Sequence, residues 1–217
     1  MTTIASFLVT QCPQCEGAIF TYGYGSTNTF GARYWTDMRQ IAPMSPDHSM
    51  LKVCPHCDHL YWFDEVEMVG EVDSNEKVED HYQGARHGNE PELEHYLRSV
   101  SMVADDPDKL EYVRIRIWWA GNDPRRGDES ERDSSFEGQL ASFEKHNLEE
   151  LLPILATGDT GRQVLYAEAL RELGRFDDCL AAIPEVENGP LADVANLIRG
   201  LAEKQDPLVA EILGEDW

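Results

Sequence analysis

The chain has 217 residues and carries 41 acidic against 18 basic side chains, a formal net charge of −23. A field of that sign repels polyanions, so nucleic acid is excluded as an expected partner. The length is sufficient for a sizeable core and, at roughly 100 to 200 residues per domain, for two domains.

The N-terminal stretch Met1 to Gln11 lacks a basic leader region, and its apolar run from Ile4 to Val9 is broken by Ser6. It does not read as a secretory signal. No later stretch approaches the roughly 18 apolar residues of a membrane span. The expectation is a soluble cytoplasmic protein without a membrane partner.

Two tetrads follow, Cys12-Pro13-Gln14-Cys15 and Cys54-Pro55-His56-Cys57. Two residues between cysteines let both sulfurs of one turn reach the same ion, so the paired tetrads read as a four-cysteine zinc ribbon with Cys12, Cys15, Cys54 and Cys57 as ligands. In a reducing compartment a metal site is favoured over two disulfides. Iron in the same all-sulfur geometry and a dithiol redox pair are the alternatives. With four sulfurs on the ion no position is left for an activated water, which makes a structural Zn2+ the expected cofactor. Residues 1 to 72 hold Arg33, Arg39 and Lys52 against eight carboxylates, so the ribbon has no basic patch.

Between the tetrads, residues 18 to 36 combine β-favouring side chains with Gly23, Gly25, Asn28 and Gly31 and read as two strands around a turn. The connection Ile41 to Pro46 is irregular, because two prolines in four residues forbid helix. Leu60 to Phe63 forms a further strand. The charged stretch Glu71 to Glu76 marks a domain boundary, giving a zinc-ribbon-like β domain over 1–72 and a helical domain over 73–217. The fold class is therefore α+β.

Helical spacing covers Glu92 to Val103, then Asp108 to Ala120 behind the start signal Asp105-Asp106-Pro107. Residues 125 to 135 read as a solvated linker. Phe136 to Leu155, interrupted near Pro153, is followed by Gln163 to Leu173 behind Asp159-Thr160, a break at Gly174-Arg175, and Phe176 to Ile183. A last pair covers Pro190 to Glu203 and Pro207 to Leu213. Leu165 to Ile183 has the small residues and turn of a tetratricopeptide hairpin, but the roughly 34-residue period does not repeat strictly. Cys179 reads as a small core residue.

The segment Tyr22 to Trp35 is the candidate partner-binding surface, with Tyr22, Tyr24, Phe30, Tyr34 and Trp35 between small polar residues. The same rings also suit the core of a small ribbon. Trp118-Trp119 reads as a buried helix anchor with a capped end, or as the mark of a groove. His56 and His59 read as exposed knuckle residues or spare ligands. His81, His87 and His95, spaced by 6 and 8, fit no single helix face as a second metal site. No GxSxG, HExxH, phosphate loop or dinucleotide fingerprint occurs.

Four runs, STNTFGARYWTDMRQIAPMSPD, CPHCDHLYWFDE, RIRIWWAGNDPRR and LRELGRF, resemble those of bacterial proteins without an assigned activity that join an N-terminal CxxC zinc-ribbon-like segment to a tetratricopeptide-like helical tail. The resemblance implies the four cysteines as metal ligands and carries over no activity. The expected function is that of a non-catalytic scaffold whose partner is a protein. Its rival is an enzyme or redox protein with a site between ribbon and helices.

Overall fold

The computed structural model describes residues 2–127 and 140–212. In chain order its strands are β1 (Thr3–Gln11), β2 (Ala18–Ser26), β3 (Arg33–Trp35), β4 (Gln40–Ile41), β5 (Leu51–Val53), β6 (Leu60–Trp62), β7 (Met68–Asp73), β8 (Arg86–His87) and β9 (Glu211–Ile212). The helices are α1 (Val78–His81), α2 (Leu93–Ser99), α3 (Pro107–Asn122), α4 (Ser142–Leu155), α5 (Thr160–Glu172), α6 (Phe176–Ala182) and α7 (Pro190–Glu203). The architecture is mixed α+β, with most strands in the N-terminal part and most helices after them, α1 preceding β8 and β9 following α7.

The chain folds as two compact units, one of residues 1–32 and 41–95, the other of residues 33–40 and 96–217. These differ from a division after residue 72 in two places. Residues 73–95 stay with the strands because Val78 and Ala85 pack with Val9 and Val72, and Arg86–His87 pairs in parallel with β2 at Ile19 and Phe20. Residues 33–40 join the helical unit although they lie between the two cysteine tetrads in sequence.

In the first unit β1 and β2 form an antiparallel hairpin, and the sheet order is β7-β1-β2-β8. Side chains alternate across a strand, so Val9 and Phe20, which are register partners, face one core, and Ile19 faces another with Cys12, Cys54 and Tyr61. A second hairpin, β5 with β6, places its turn over Cys54 to His59. Each hairpin thus carries one tetrad at its turn.

Residues 18 to 36 do hold two strands, but they do not pair with each other. β2 pairs with β1, and β3 lies in the three-stranded sheet β4-β3-β9. The expected boundary near Glu71 is the end of β7, whose register runs from Thr10↔Met68 to Ser6↔Asp73.

A core cluster of the helical unit includes Trp118, Leu151, Leu155, Leu170, Cys179 and Ile198. Asp106 caps α3, its side chain accepting from the Lys109 amide at 3.1 Å with Pro107 in the first turn, and Asp159 caps α5 by accepting from the Arg162 amide at 3.0 Å. Gly174, at φ +74°, closes α5: the Arg175 amide donates to the Leu170 carbonyl and the Gly174 amide to that of Arg171. This is the Schellman geometry, which favours glycine at that position.

Two expectations are corrected here. Residues 207 to 212 are extended, not helical: the Leu208 amide donates to the Asp206 side chain in a turn, and β9 then pairs with β3, Tyr34 opposite Ile212. Arg125 and Arg126 are buried and ion-paired, not part of a solvated linker; residues 128 to 135 of that stretch, Phe136 to Gln139 of the expected fourth helix and Leu213 lie outside the described residues. Pro153 sits inside α4, which continues to Leu155.

Candidate metal centre

The two tetrads fold into matching turns. In the first, the Gln14 amide donates to Cys12 Sγ at 3.4 Å, the Glu16 amide to the Cys12 carbonyl at 2.9 Å, and the Cys12 amide to the Gly17 carbonyl at 3.0 Å. In the second, the His56 amide donates to Cys54 Sγ at 3.4 Å, the Asp58 amide to the Cys54 carbonyl at 3.0 Å, and the Cys54 amide to the His59 carbonyl at 2.9 Å. Glu16 and Asp58 occupy the same left-handed backbone position, at φ 59° and 61°. Backbone N–H groups therefore point at the sulfurs of both knuckles, which stabilises thiolates.

A tetrahedral zinc with Zn–S bonds of about 2.3 Å holds its sulfurs about 3.8 Å apart. Cys12 Sγ lies 3.7 Å from Cys57 Sγ, and Cys15 Sγ lies 3.7 Å from Cys54 Sγ. All four ligand atoms fall within 4.8 Å of one another. The four cysteines lie close enough to hold one metal ion. Cys12 and Cys54 are buried, and Cys15 and Cys57 are exposed, so the site is open on one side. Burial pushes the Cys54 thiol up to about 12, whereas the Gly17 amide holds the Cys15 thiol below its ordinary value. An entering cation must displace the proton from the buried sulfur.

His56 joins the two knuckles. Its Nε2 lies 2.9 Å from the Ala18 carbonyl, and its ring covers Gly17, where a Cβ would fall 2.6 Å from Cδ2. Among the described residues the cysteine quartet is the one cluster able to hold a metal, and neither His56 nor His59 belongs to it. His81 pairs with Glu76 at 2.7 Å, His87 packs on Phe20 and Tyr22, and His95 Nε2 lies 3.3 Å from Asp58. These three histidines are not brought together.

The candidate partner-binding residues are also dispersed. Tyr22 and Tyr24 stand on β2 in the first unit and Phe30 is 86% exposed, whereas Tyr34 packs against the helical core and Trp35 is 1% exposed. Trp35 offers no surface; Arg33 and Arg126 lie over its ring, each 5.2 Å from the centroid.

A buried polar network in the helical unit had no motif to announce it. Asp37 accepts from both terminal nitrogens of Arg126, at 3.0 and 2.5 Å, and from Asn122 Nδ2 at 3.0 Å. Asn122 also donates to Glu172, which accepts from Trp118 Nε1 at 2.8 Å. Burial, with Glu168 and Asp37 nearby, raises the Glu172 carboxyl to about 8. Arg126, Asn122 and Trp118 come from RIRIWWAGNDPRR, Asp37 from the run between the tetrads, and Glu172 from LRELGRF. Trp118 is indeed a helix anchor, 4% exposed.

No family model, curated protein or solved structure matches this chain. No helix among the described residues is long and apolar enough to cross a membrane.

Proposed function

We propose that this chain is a non-catalytic, cytoplasmic protein-interaction protein whose N-terminal ribbon is stabilised by one structural zinc ion. The observation that carries the reading is the quartet Cys12, Cys15, Cys54 and Cys57, with two S···S distances of 3.7 Å and all four sulfurs within 4.8 Å of one another. Zinc suits four thiolates, and a site saturated by protein sulfur has no position for substrate or activated water, in contrast to catalytic zinc, which keeps one open. Its role is then to join the β5–β6 hairpin, a two-stranded element too small to be stable alone, to the β1–β2 hairpin of the larger sheet.

The helical unit supports the interaction half of the reading. α5 and α6 are joined by the tight Gly174 turn, and Ala167 and Ala169 of α5 are fully buried in the helical core. Tetratricopeptide-like hairpins of this kind, even in a degenerate array, present faces on which a protein partner docks. Two measurements test the proposal. Elemental analysis after gel filtration without added metal is expected to find about one zinc per chain. Affinity capture from the native host, with the tag at either terminus, is expected to recover the same protein; zinc-free, fully folded chain or an empty capture sinks the corresponding half.

A further inference from the structure

One face of the first unit's sheet changes character along its length. At one end Val9, Val72, Val78 and Ala85 form a closed core beneath α1, with Phe7 and Phe20 packed against it. At the other end the rings continue along the sheet face, with Tyr22 exposed and Tyr24 half-buried. Phe7 meets Tyr22 at 5.9 Å between centroids, Tyr22 meets Tyr24 at 6.2 Å, His87 lies 4.7 Å from Tyr22, and His48 lies 5.0 Å from Tyr24. Phe7 and Tyr22 are direct register partners and Tyr24 is two residues on, so these rings share one face. Tyr22 is 38% exposed, and His48 and His87 are exposed.

The unit that carries this row is acidic as a whole. Residues 1–32 and 41–95 contain Lys52, Lys77 and Arg86 as their only cations against fourteen carboxylates. Lys52 is buried and bound to Glu90, and Arg86 donates to the Pro55 carbonyl at 3.1 Å. Glu90 stands at the rim of the row, fixed by the Ser49 amide at 3.2 Å and 4.0 Å from His48 Nδ1, and remains half-exposed. In the helical unit aromatic faces are covered from within the chain: Arg39 lies 4.9 Å from the Trp119 centroid and Arg126 5.2 Å from that of Trp35. Among the described residues no cation covers Tyr22 or Tyr24.

We infer that the row Tyr22, Tyr24, His48 and His87, rimmed by Glu90, is the docking site for an arginine- or lysine-bearing segment of a protein partner. A guanidinium stacks on an aromatic face and is drawn by the negative field of the unit, a combination that neither an acidic segment nor a neutral apolar one satisfies. A second copy of this chain is disfavoured as occupant, since two faces of the same negative sign repel. The inference rests on the interaction reading above and names the chemistry of its partner.

The test uses the zinc-loaded full chain and a fluorescein-labelled Arg-Gly-Arg-Gly-Arg peptide, read by anisotropy at low salt. The expected result is saturable binding, weakened about tenfold in the double variant Tyr22→Leu with Tyr24→Leu, which keeps apolar bulk but removes both π faces. The variant Tyr22→Phe with Tyr24→Phe keeps the rings and is expected to bind as the parent does. A peptide with citrulline in place of arginine is expected to lose binding. Zinc content and near-ultraviolet circular dichroism establish that each variant is folded; if the double leucine variant is not, Tyr22→Leu alone gives the same comparison on the more exposed ring.

Equal binding by the leucine variant, equal binding of the citrulline peptide, or no binding by the parent overturns the inference. Failure here is separable from failure of the wider reading. A captured partner that the leucine variant retains at full strength preserves the interaction role and removes this face from it. An empty capture beside arginine-specific peptide binding does the reverse.

Discussion

Asp37 and Arg126, 89 residues apart in the chain, form a bidentate ion pair in which the carboxylate is fully buried and the guanidinium nearly so. The octapeptide that carries Asp37 lies between the two cysteine tetrads in sequence and is built into the helical unit through Trp35, through β3 against β9, and through the Trp119 indole, which donates to the Asp37 carbonyl at 2.9 Å. The helical unit is therefore discontinuous in sequence.

Removing one partner of such a pair strands the other charge. Asp37→Ala is expected to destabilise the helical unit by about 3 to 5 kcal/mol, read from the urea midpoint followed by tryptophan fluorescence. A fragment of residues 96–217 lacks both the carboxylate and the strand that pairs with β9. It is expected to unfold without cooperativity, and a cooperative transition equal to that of the full chain would contradict the role given to the octapeptide.

Glu172 gives the helical unit a pH dependence of definite sign. Its carboxyl is raised from the ordinary 4.5 to about 8, chiefly by burial and then by Glu168 and Asp37, against the opposing effects of Arg171 and the Trp118 N–H. The folded chain keeps this proton where the unfolded chain has released it, so its contribution to stability is complete below the unfolded value and is lost as pH rises through about 8. The denaturation midpoint is expected to fall between about pH 5 and pH 8, and Glu172→Gln is expected to flatten that slope. An unchanged slope in the variant assigns the dependence to other groups.

The parts of this molecule that were legible in the sequence are those fixed by local chemistry. The CxxC spacing specifies a turn and a ligand set by itself, Asp106-Pro107 and Asp159 specify helix starts, and Gly174 specifies a stop, so α3, α5 and α6 could be read within a few residues. β1 and β7 are not legible in the sequence: Phe7-Leu8-Val9 is an unbroken apolar triplet without the alternation of a half-buried strand, and a strand at an unknown sheet position differs little from a terminus or a linker. The burial of Asp37 and Arg126 was beyond reach for a different reason. Each is an ordinary solvated residue by type, and only the fold supplies the partner that makes its burial tolerable.

Gly17 and His56 define the contact between the two knuckles. A Cβ at Gly17 would meet the imidazole at 2.6 Å, and the ring has little room to yield while Nε2 remains against the Ala18 carbonyl. Gly17→Ala is expected to destabilise the first unit by about 1 to 3 kcal/mol, and His56→Ala in the same chain is expected to relieve most of that penalty. A double-mutant cycle on thermal unfolding checks the coupling. Additive effects would mean that the imidazole moves aside freely.

Metal removal distinguishes the five cysteines by their positions. With the quartet on a metal ion, Cys12 and Cys54 are buried and Cys15 and Cys57 are exposed but ligated, so a thiol reagent is expected to act slowly on the folded chain. A chelator should release four fast-reacting thiols. Cys179 should stay silent, since it is fully buried in the helical core and burial pushes its thiol up to about 11. Denaturant should then expose the fifth. Hydrogen exchange across the same titration is expected to rise in Leu51 to Trp62 before it rises in β1 and β2, because the nine-residue strands keep their own ladder whereas the β5–β6 hairpin has three pairs. Reactivity that is the same with and without chelator would show that the quartet holds no ion, and the hairpins would then owe their docking to the small cluster around Ile19, Tyr61 and Val66 and to His56 against Gly17 and the Ala18 carbonyl.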